Sequence, residues 1–173
     1  MVYVGCDPGK TGAIASLSED GTLITISDFS FDDKGRISAK ALLNIINAIK
    51  DYHGEPTFTV CIEKSQAMPG QGTVSMFGYG VNYGILYGVI TCLGYKVVEI
   101  SPQKWKKEFD LNSNKKAGII KTKEDSVNKA IELYPSRESF VRRLKKGKTD
   151  EYVLNHGRSD ALLICEYARR NNL

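Results

Sequence analysis

Three carboxylates stand where separate elements could bring them together, and their chemistry is the first thing the chain offers. Asp7 closes the apolar run VYVGC, Glu63 closes TFTVCI, and Asp160 lies in a C-terminal segment with a helical apolar pattern. Carboxylates delivered by strand ends can converge outside the edge of an α/β sheet. Hard cations such as Mg²⁺ and Mn²⁺ want oxygen ligands of this kind. Two such ions, about 4 Å apart, could clamp the attacking and leaving oxygens of a phosphodiester. His156 precedes Asp160 by four residues, so a helix puts both on one face. Its imidazole suits Mn²⁺-type ions and can carry a proton. Each residue alone also reads as a turn residue, a solvated acid or a structural histidine; the combination points to a metal site.

Other chemistries fit less well. The turn DPGKTG lacks the spacing of a phosphate-binding GxxxxGK[ST] loop and leads into a strand, not a helix, so no nucleotide cofactor is expected. The four cysteines (Cys6, Cys61, Cys92, Cys165) form no CxxC pair and read as small buried hydrophobes, not as a zinc site. No apolar run reaches the roughly 18 residues of a membrane span, and the first residues show no secretory signal. A cytoplasmic location and no membrane partner are therefore expected.

Charge points to the partner. Net charge is +4, but residues 101–148 carry 14 Lys/Arg against 6 Asp/Glu, while the remainder is mildly acidic. A basic segment beside an acidic remainder is the footprint of a polyanion binder, or else a solvated lysine-rich surface. Lys104, Lys106 and Lys107 surround Trp105 in this segment. Trp105 could stack on a base or anchor its segment to the core, and the anchor reading is adopted. Arg158 could face phosphate or be a surface charge.

The elements that must position these residues follow from pattern and turn chemistry. Residues 2–6, 13–17 and 22–28 read as three strands of a meander, the last two joined by a hairpin at Glu19-Asp20-Gly21. An apolar stripe over 37–51 predicts a helix, 57–62 a fourth strand and 95–100 a fifth, stopped by Ser101-Pro102. Between the last two strands runs a long segment in which Gly80, Gly84 and Gly88, and Tyr79, Tyr83 and Tyr87, recur every four residues. Glycines so placed predict a helix packed very close to a neighbour, with the tyrosines in packing or dimer contacts. Residues 124–134, 138–144 and 151–170 read as helices, the last interrupted by Gly157; 111–123 and 145–150 read as polar and mobile. The length of 173 residues suits one domain, 1–173. The element order predicts an α/β fold: a mixed five-stranded sheet, three strands antiparallel and two parallel, with helices on both faces.

Four blocks then resemble a known family: GCDPGKTGAI, IEKSQAMPGQGTVSMFGYGVNYG, SPQKWKK and HGRSDALLICEYARR. In this order, and over nearly the whole chain, they are similar to the RuvC-type Holliday-junction resolvases, and most of all to the branch found in phages and prophages. The resemblance implies an RNase-H-like fold, a homodimer and Mg²⁺-dependent incision of branched, four-way DNA. It carries the family's acidic cluster onto Asp7, Glu63 and Asp160 and its remaining ligand onto His156. Many relatives have an aspartate near that last place, which makes Mn²⁺ more plausible here. The resemblance also implies that residues between Lys64 and Phe77 reach into the junction, with Met68, Met76 and Phe77 as candidate wedges against a base step. Met76 and Phe77 could equally begin a core helix. Two other functions share these residues: a broader debranching nuclease cutting forks and flaps, and a junction-binding protein without catalysis.

Overall fold

Strand β1 (Val2–Asp7) is buried along its length except at its last residue, which explains why it reads as an unbroken apolar run. It is the centre of the molecule. In the computed structural model, which describes residues 1–54, 57–64, 70, 72–135, 142–144 and 152–173, β1 pairs with an antiparallel strand on one side and a parallel strand on the other. The antiparallel neighbours are β2 (Ala13–Ser18) and β3 (Leu23–Asp28). The parallel ones are β4 (Phe58–Glu63) and β5 (Lys96–Ile100). The order is β3-β2-β1-β4-β5, the mixed sheet that the element order predicts.

Helices cover both faces. One face carries α1 (Ala39–His53) and α2 (Thr73–Cys92), whose Leu42, Ile46, Ile49, Leu86 and Ile90 meet Val2, Val4, Cys6, Val60 and Ile62 of the sheet. The hydroxyl of Ser38 caps α1 by accepting from the Ala41 N–H at 3.3 Å. The other face carries α3 (Pro102–Glu108), α4 (Lys123–Leu133) and α5 (His156–Arg170). Leu162, Leu163 and Ile164 of α5 are fully buried there beside Tyr3, Cys61 and Trp105. Each such side chain contributes about 1.5–3 kcal/mol of burial.

Two glycines set how close α5 comes. A Cβ on Gly5 of β1 would lie 2.2 Å from the Ala161 carbonyl oxygen, and one on Gly157 would lie 1.8 Å from that of Thr11. Both positions admit only glycine because backbone meets backbone. Gly157 therefore does not interrupt the last helix, as its sequence suggests; it seats the first turn against the loop after β1.

The described residues from Arg142 onward differ most from expectation; the rest of the expected 138–144 helix and the expected mobile stretch 145–150 lie outside the described residues. Residues 142–144, expected to be helical, form strand β6 (Arg142–Leu144), paired antiparallel with β7 (Tyr152–Leu154). The expected helix over 151–170 accordingly starts later, at His156, where the Asn155 side chain caps it by accepting from the Arg158 N–H. Three-residue strands depend on a partner, not on local pattern, so periodicity could not find them. The segment 111–123, expected to be mobile, contains a 3₁₀ turn (Lys115–Ala117) closed by a bridge between Asn114 and Ile119. Cys6, Cys61 and Cys165 are buried, but Cys92 at the end of α2 is exposed. No described helix is long and apolar enough to cross a membrane.

The glycine stripe of α2 also departs from expectation. Around Gly80, Gly84 and Gly88 the space is open to at least 4 Å among the described residues. Close approach by the described residues therefore does not offset the helix-propensity cost of these glycines.

Candidate active site

The sheet register brings the first two carboxylates side by side. Cys6 pairs with Ile62 on the adjacent parallel strand, so Asp7 and Glu63 are the next residues along, at the same C-terminal edge. Both lie on the α5 face, since Tyr3, four residues before Asp7, and Cys61, two residues before Glu63, belong to the core under α5. The contact of α5 with Gly5 then carries Asp160 over this edge. Three carboxylates from β1, β4 and α5 thus face one another.

Their electrostatics record the convergence. Burial, followed by the charges of Asp160 and Glu63, pushes the Asp7 carboxyl up to about 7, against a smaller opposing effect of the Gly9 N–H. Burial likewise raises Glu63, partly offset by the Trp105 indole and Lys106. Asp160 is raised by burial against the Ser126 hydroxyl, Lys106, His156 and Lys123. The Lys106 charge favours the ionised form of all three, so this lysine faces the cluster. Each carboxylate also accepts one hydrogen bond. Asp7 Oδ1 accepts from Gly9 N at 3.0 Å, Glu63 Oε2 from Trp105 Nε1 at 2.9 Å, and Asp160 Oδ1 from the Ser126 hydroxyl. Among the described residues no three His, Cys, Asp or Glu side chains are closed around a point fit for a metal ion. The carboxylates are neighbours in charge without forming a finished cage.

His156 opens α5, with its Nδ1 at 3.2 Å from the Lys123 carbonyl oxygen. A carbonyl only accepts, so Nδ1 is the donor in this contact, and Nε2 is the nitrogen that could offer a lone pair to a metal. Trp105 is fully buried, which confirms it as an anchor and removes it from base stacking; Lys106 Nζ lies 5.1 Å from its ring centroid. Lys104 and Lys107 on α3 are exposed. Arg158 is bound inside the chain: its Nε donates to Asp28 Oδ1 at 2.8 Å and its Nη2 to Asp28 Oδ2 at 3.0 Å, while Asn155 Nδ2 donates to the same carboxylate. Met76 is half-buried, but Phe77 is 74% exposed and so is not a core residue of α2. Met68 lies outside the described residues.

Two residues near the site carry no sequence signal for it. Tyr79, expected in packing or dimer contacts, has its hydroxyl held protonated by burial and then by the charges of Glu63 and Asp7, so it borders the acidic edge. Ser126, on α4, touches Asp160 across 34 residues.

No family model matches the chain. The chain is 28% identical over 107 residues to a chloroplastic Holliday junction resolvase of Chlamydomonas reinhardtii; the match covers 62% of this chain and 10% of that protein. Among solved structures it superposes on T. thermophilus RuvC in complex with Holliday junction substrate, with a TM-score of 0.59 and 17% identity over 99% of this chain and 96% of that one. The fold is that of RuvC. A second Thermus thermophilus RuvC structure gives a TM-score of 0.56 at 18% identity, covering 99% of this chain and 97% of that one. The yeast mitochondrial Holliday junction resolvase gives 0.54 at 15%, covering 97% and 77%. The RuvC architecture is RNase-H-like, and the chain spans a tenth of the length of its curated relative.

Proposed function

We propose that this chain is a metal-dependent endonuclease that cuts four-way DNA junctions by phosphodiester hydrolysis, acting as a homodimer in the cytoplasm of a bacterial or phage-infected cell. The observation that carries the reading is the meeting of Asp7, Glu63 and Asp160, from three separate elements, at one edge of a RuvC-type sheet. Their oxygens are the donor set that Mg²⁺ or Mn²⁺ prefers, and their mutual repulsion, eased only in part by Lys106, is what a bound cation would relieve. Asp7, Glu63, Asp160 and the Nε2 of His156 would hold two ions. Bound there, such ions supply an acidified water and charge neutralisation at the phosphate.

The chain's own residues do the rest. Lys106, facing the cluster, meets the negative charge of a phosphate brought to it. The exposed Lys104 and Lys107 hold flanking phosphates, which makes affinity fall steeply with salt. Phe77, exposed near the N-terminal end of α2, supports an apolar wedge beside the half-buried Met76. Arg158, tied to Asp28, braces the start of α5 and reaches phosphate only by giving up that pair. Homodimer formation is supported by α2, where the open sides of Gly80, Gly84 and Gly88 lie along a helix that also exposes Tyr87 and is followed by the exposed Leu93.

The test is cleavage of labelled four-way junctions, forks, flaps and linear duplexes with Mg²⁺ or with Mn²⁺. Paired cuts confined to the four-way junction are expected. Equal cutting of forks and flaps would reassign the protein as a general debranching nuclease, and tight junction binding without cuts as a non-catalytic binder.

A further inference from the structure

The acidic edge has an internal order that the three carboxylates alone do not explain. Every one of them has one oxygen held by a neutral donor, and among the described residues the other oxygen of each carries no hydrogen bond. Neutral donors fix direction without cancelling charge. An arginine or lysine bonded in the same place would fix direction and also neutralise the cluster. The donors also differ in rigidity. Gly9 offers a backbone N–H, Ser126 a hydroxyl that can rotate, and Trp105 an indole that is donor-only and fully buried. A buried indole N–H needs a partner. Here the partner is a carboxylate at the end of β4, not a spent carbonyl. The same ring holds Lys106 over its face at 5.1 Å. One rigid side chain thus sets both the acid and the cation that faces it.

We infer that Trp105 and Ser126 are positioning residues of the metal site: Trp105 by its indole edge on Glu63 and its face under Lys106, Ser126 by its hydroxyl on Asp160, each leaving one carboxylate oxygen directed at the ions. The inference rests on reading the acidic edge as a metal centre. Partners of this kind typically set metal affinity or activity by 10–100-fold.

Trp105 is the only tryptophan of the chain, so biosynthetic replacement of tryptophan by benzothienylalanine changes this one position. Sulfur then replaces the N–H in a ring of nearly the same shape. Mn²⁺ binding to the full chain without DNA is measured by titration, with free Mn²⁺ read by electron paramagnetic resonance. The expected result is a 10–100-fold weaker Mn²⁺ affinity for the benzothienyl protein and for Ser126→Ala, with Ser126→Thr closer to wild type. Junction affinity in chelator stays unchanged for all three. Wild-type Mn²⁺ affinity in the benzothienyl protein and in Ser126→Ala, with only their metal-free melting temperature lowered, would overturn the inference and leave both groups as packing. Failure of the reading beneath it looks different: the unaltered protein and Asp160→Asn would then bind Mn²⁺ equally poorly.

Discussion

Helix α5 carries two acids set into the protein, six residues and about 9 Å apart along its axis, and the chain treats them in opposite ways. Glu166, whose side chain is 4% exposed, is surrounded by donors. Arg169 Nε and Arg170 Nε donate to it at 2.7 Å, Arg169 Nη2 at 2.9 Å and the Tyr134 hydroxyl at 2.8 Å. Burial pushes its carboxyl up, yet the bonds from Arg169, Arg170 and Tyr134 outweigh it and hold the group below its usual range. Asp160 accepts a hydrogen bond from one neutral hydroxyl, and burial holds it above its usual range against the Ser126 bond and the more distant charges of Lys106, His156 and Lys123. The same fold that supplies two guanidiniums to one acid withholds them from the other. That contrast is the one the proposed metal site calls for, a neutralised structural carboxylate beside an acid left without a bonded cation, in keeping with the tendency of functional sites to cost stability.

The largest break in this comparison should come at the reserved end. Asp7→Asn, Glu63→Gln and Asp160→Asn are each expected to reduce single-turnover junction cleavage by at least about 10²–10³-fold, since each removes a group that would hold the ions, while junction binding persists on the basic surface. Near-normal cleavage by any one of them would strike that residue from the site. His156→Ala should cost roughly 10–100-fold, and His156→Asp should retain activity with a shift toward Mg²⁺, an ion that prefers oxygen. Rates with both metals check this; full activity of the alanine variant in both would return His156 to a structural role at the start of α5.

At the satisfied end the effect should move from activity to stability. Glu166→Gln removes the charge from a buried pair and should destabilise the protein by about 2–3 kcal/mol, with cleavage per folded molecule unchanged. Urea unfolding and cleavage measured on the same preparation separate the two. A lost activity without lost stability would make Glu166 part of the site and dissolve the contrast.

The carboxylates were legible because strand ends are legible: an apolar run that stops at an acid locates Asp7 and Glu63, and the turn residues between runs fix the strand order. His156 and Asp160 followed from helical spacing. What joins them was not legible. Gly5 and Gly157 matter through the carbonyls of Ala161 and Thr11, far away in the chain, and no local pattern announces such a meeting. The indole of Trp105 reaches Glu63 across 42 residues, and Ser126 is an unremarked residue inside a helix started by a Thr122–Asp125 capping box. The glycines of α2 were legible as a stripe, but spacing tells only which residues share a side and says nothing about whether the neighbour belongs to the same chain.

The last prediction sharpens the comparison at its smallest scale, in the protein without metal. Asp7 is pushed up to about 7 in the folded protein, first by burial and then by Asp160 and Glu63, whereas in the unfolded chain it titrates near its ordinary value of about 4. Between these two values the folded state holds the extra proton, so acid favours folding. The stability that this proton supplies is fully present below about pH 4 and is lost as pH rises through about 7. At pH 8 in chelator, folded Asp7 bears a charge among like charges. Asp7→Asn keeps the shape and removes that charge. It should therefore be more stable than wild type at pH 8 by about 1 kcal/mol, or roughly 2–4 °C in melting temperature, and lose this advantage toward pH 5. Adding Mn²⁺ at pH 8 should reverse the order, because only the wild type gains stability by binding the ion. Thermal melts at pH 5 and pH 8, with chelator and with Mn²⁺, give all four points. An Asp7→Asn protein less stable than wild type at pH 8 in chelator would mean that Asp7 is held by favourable contacts, as Glu166 is, and that the contrast drawn for Asp160 does not extend to the rest of the acidic edge.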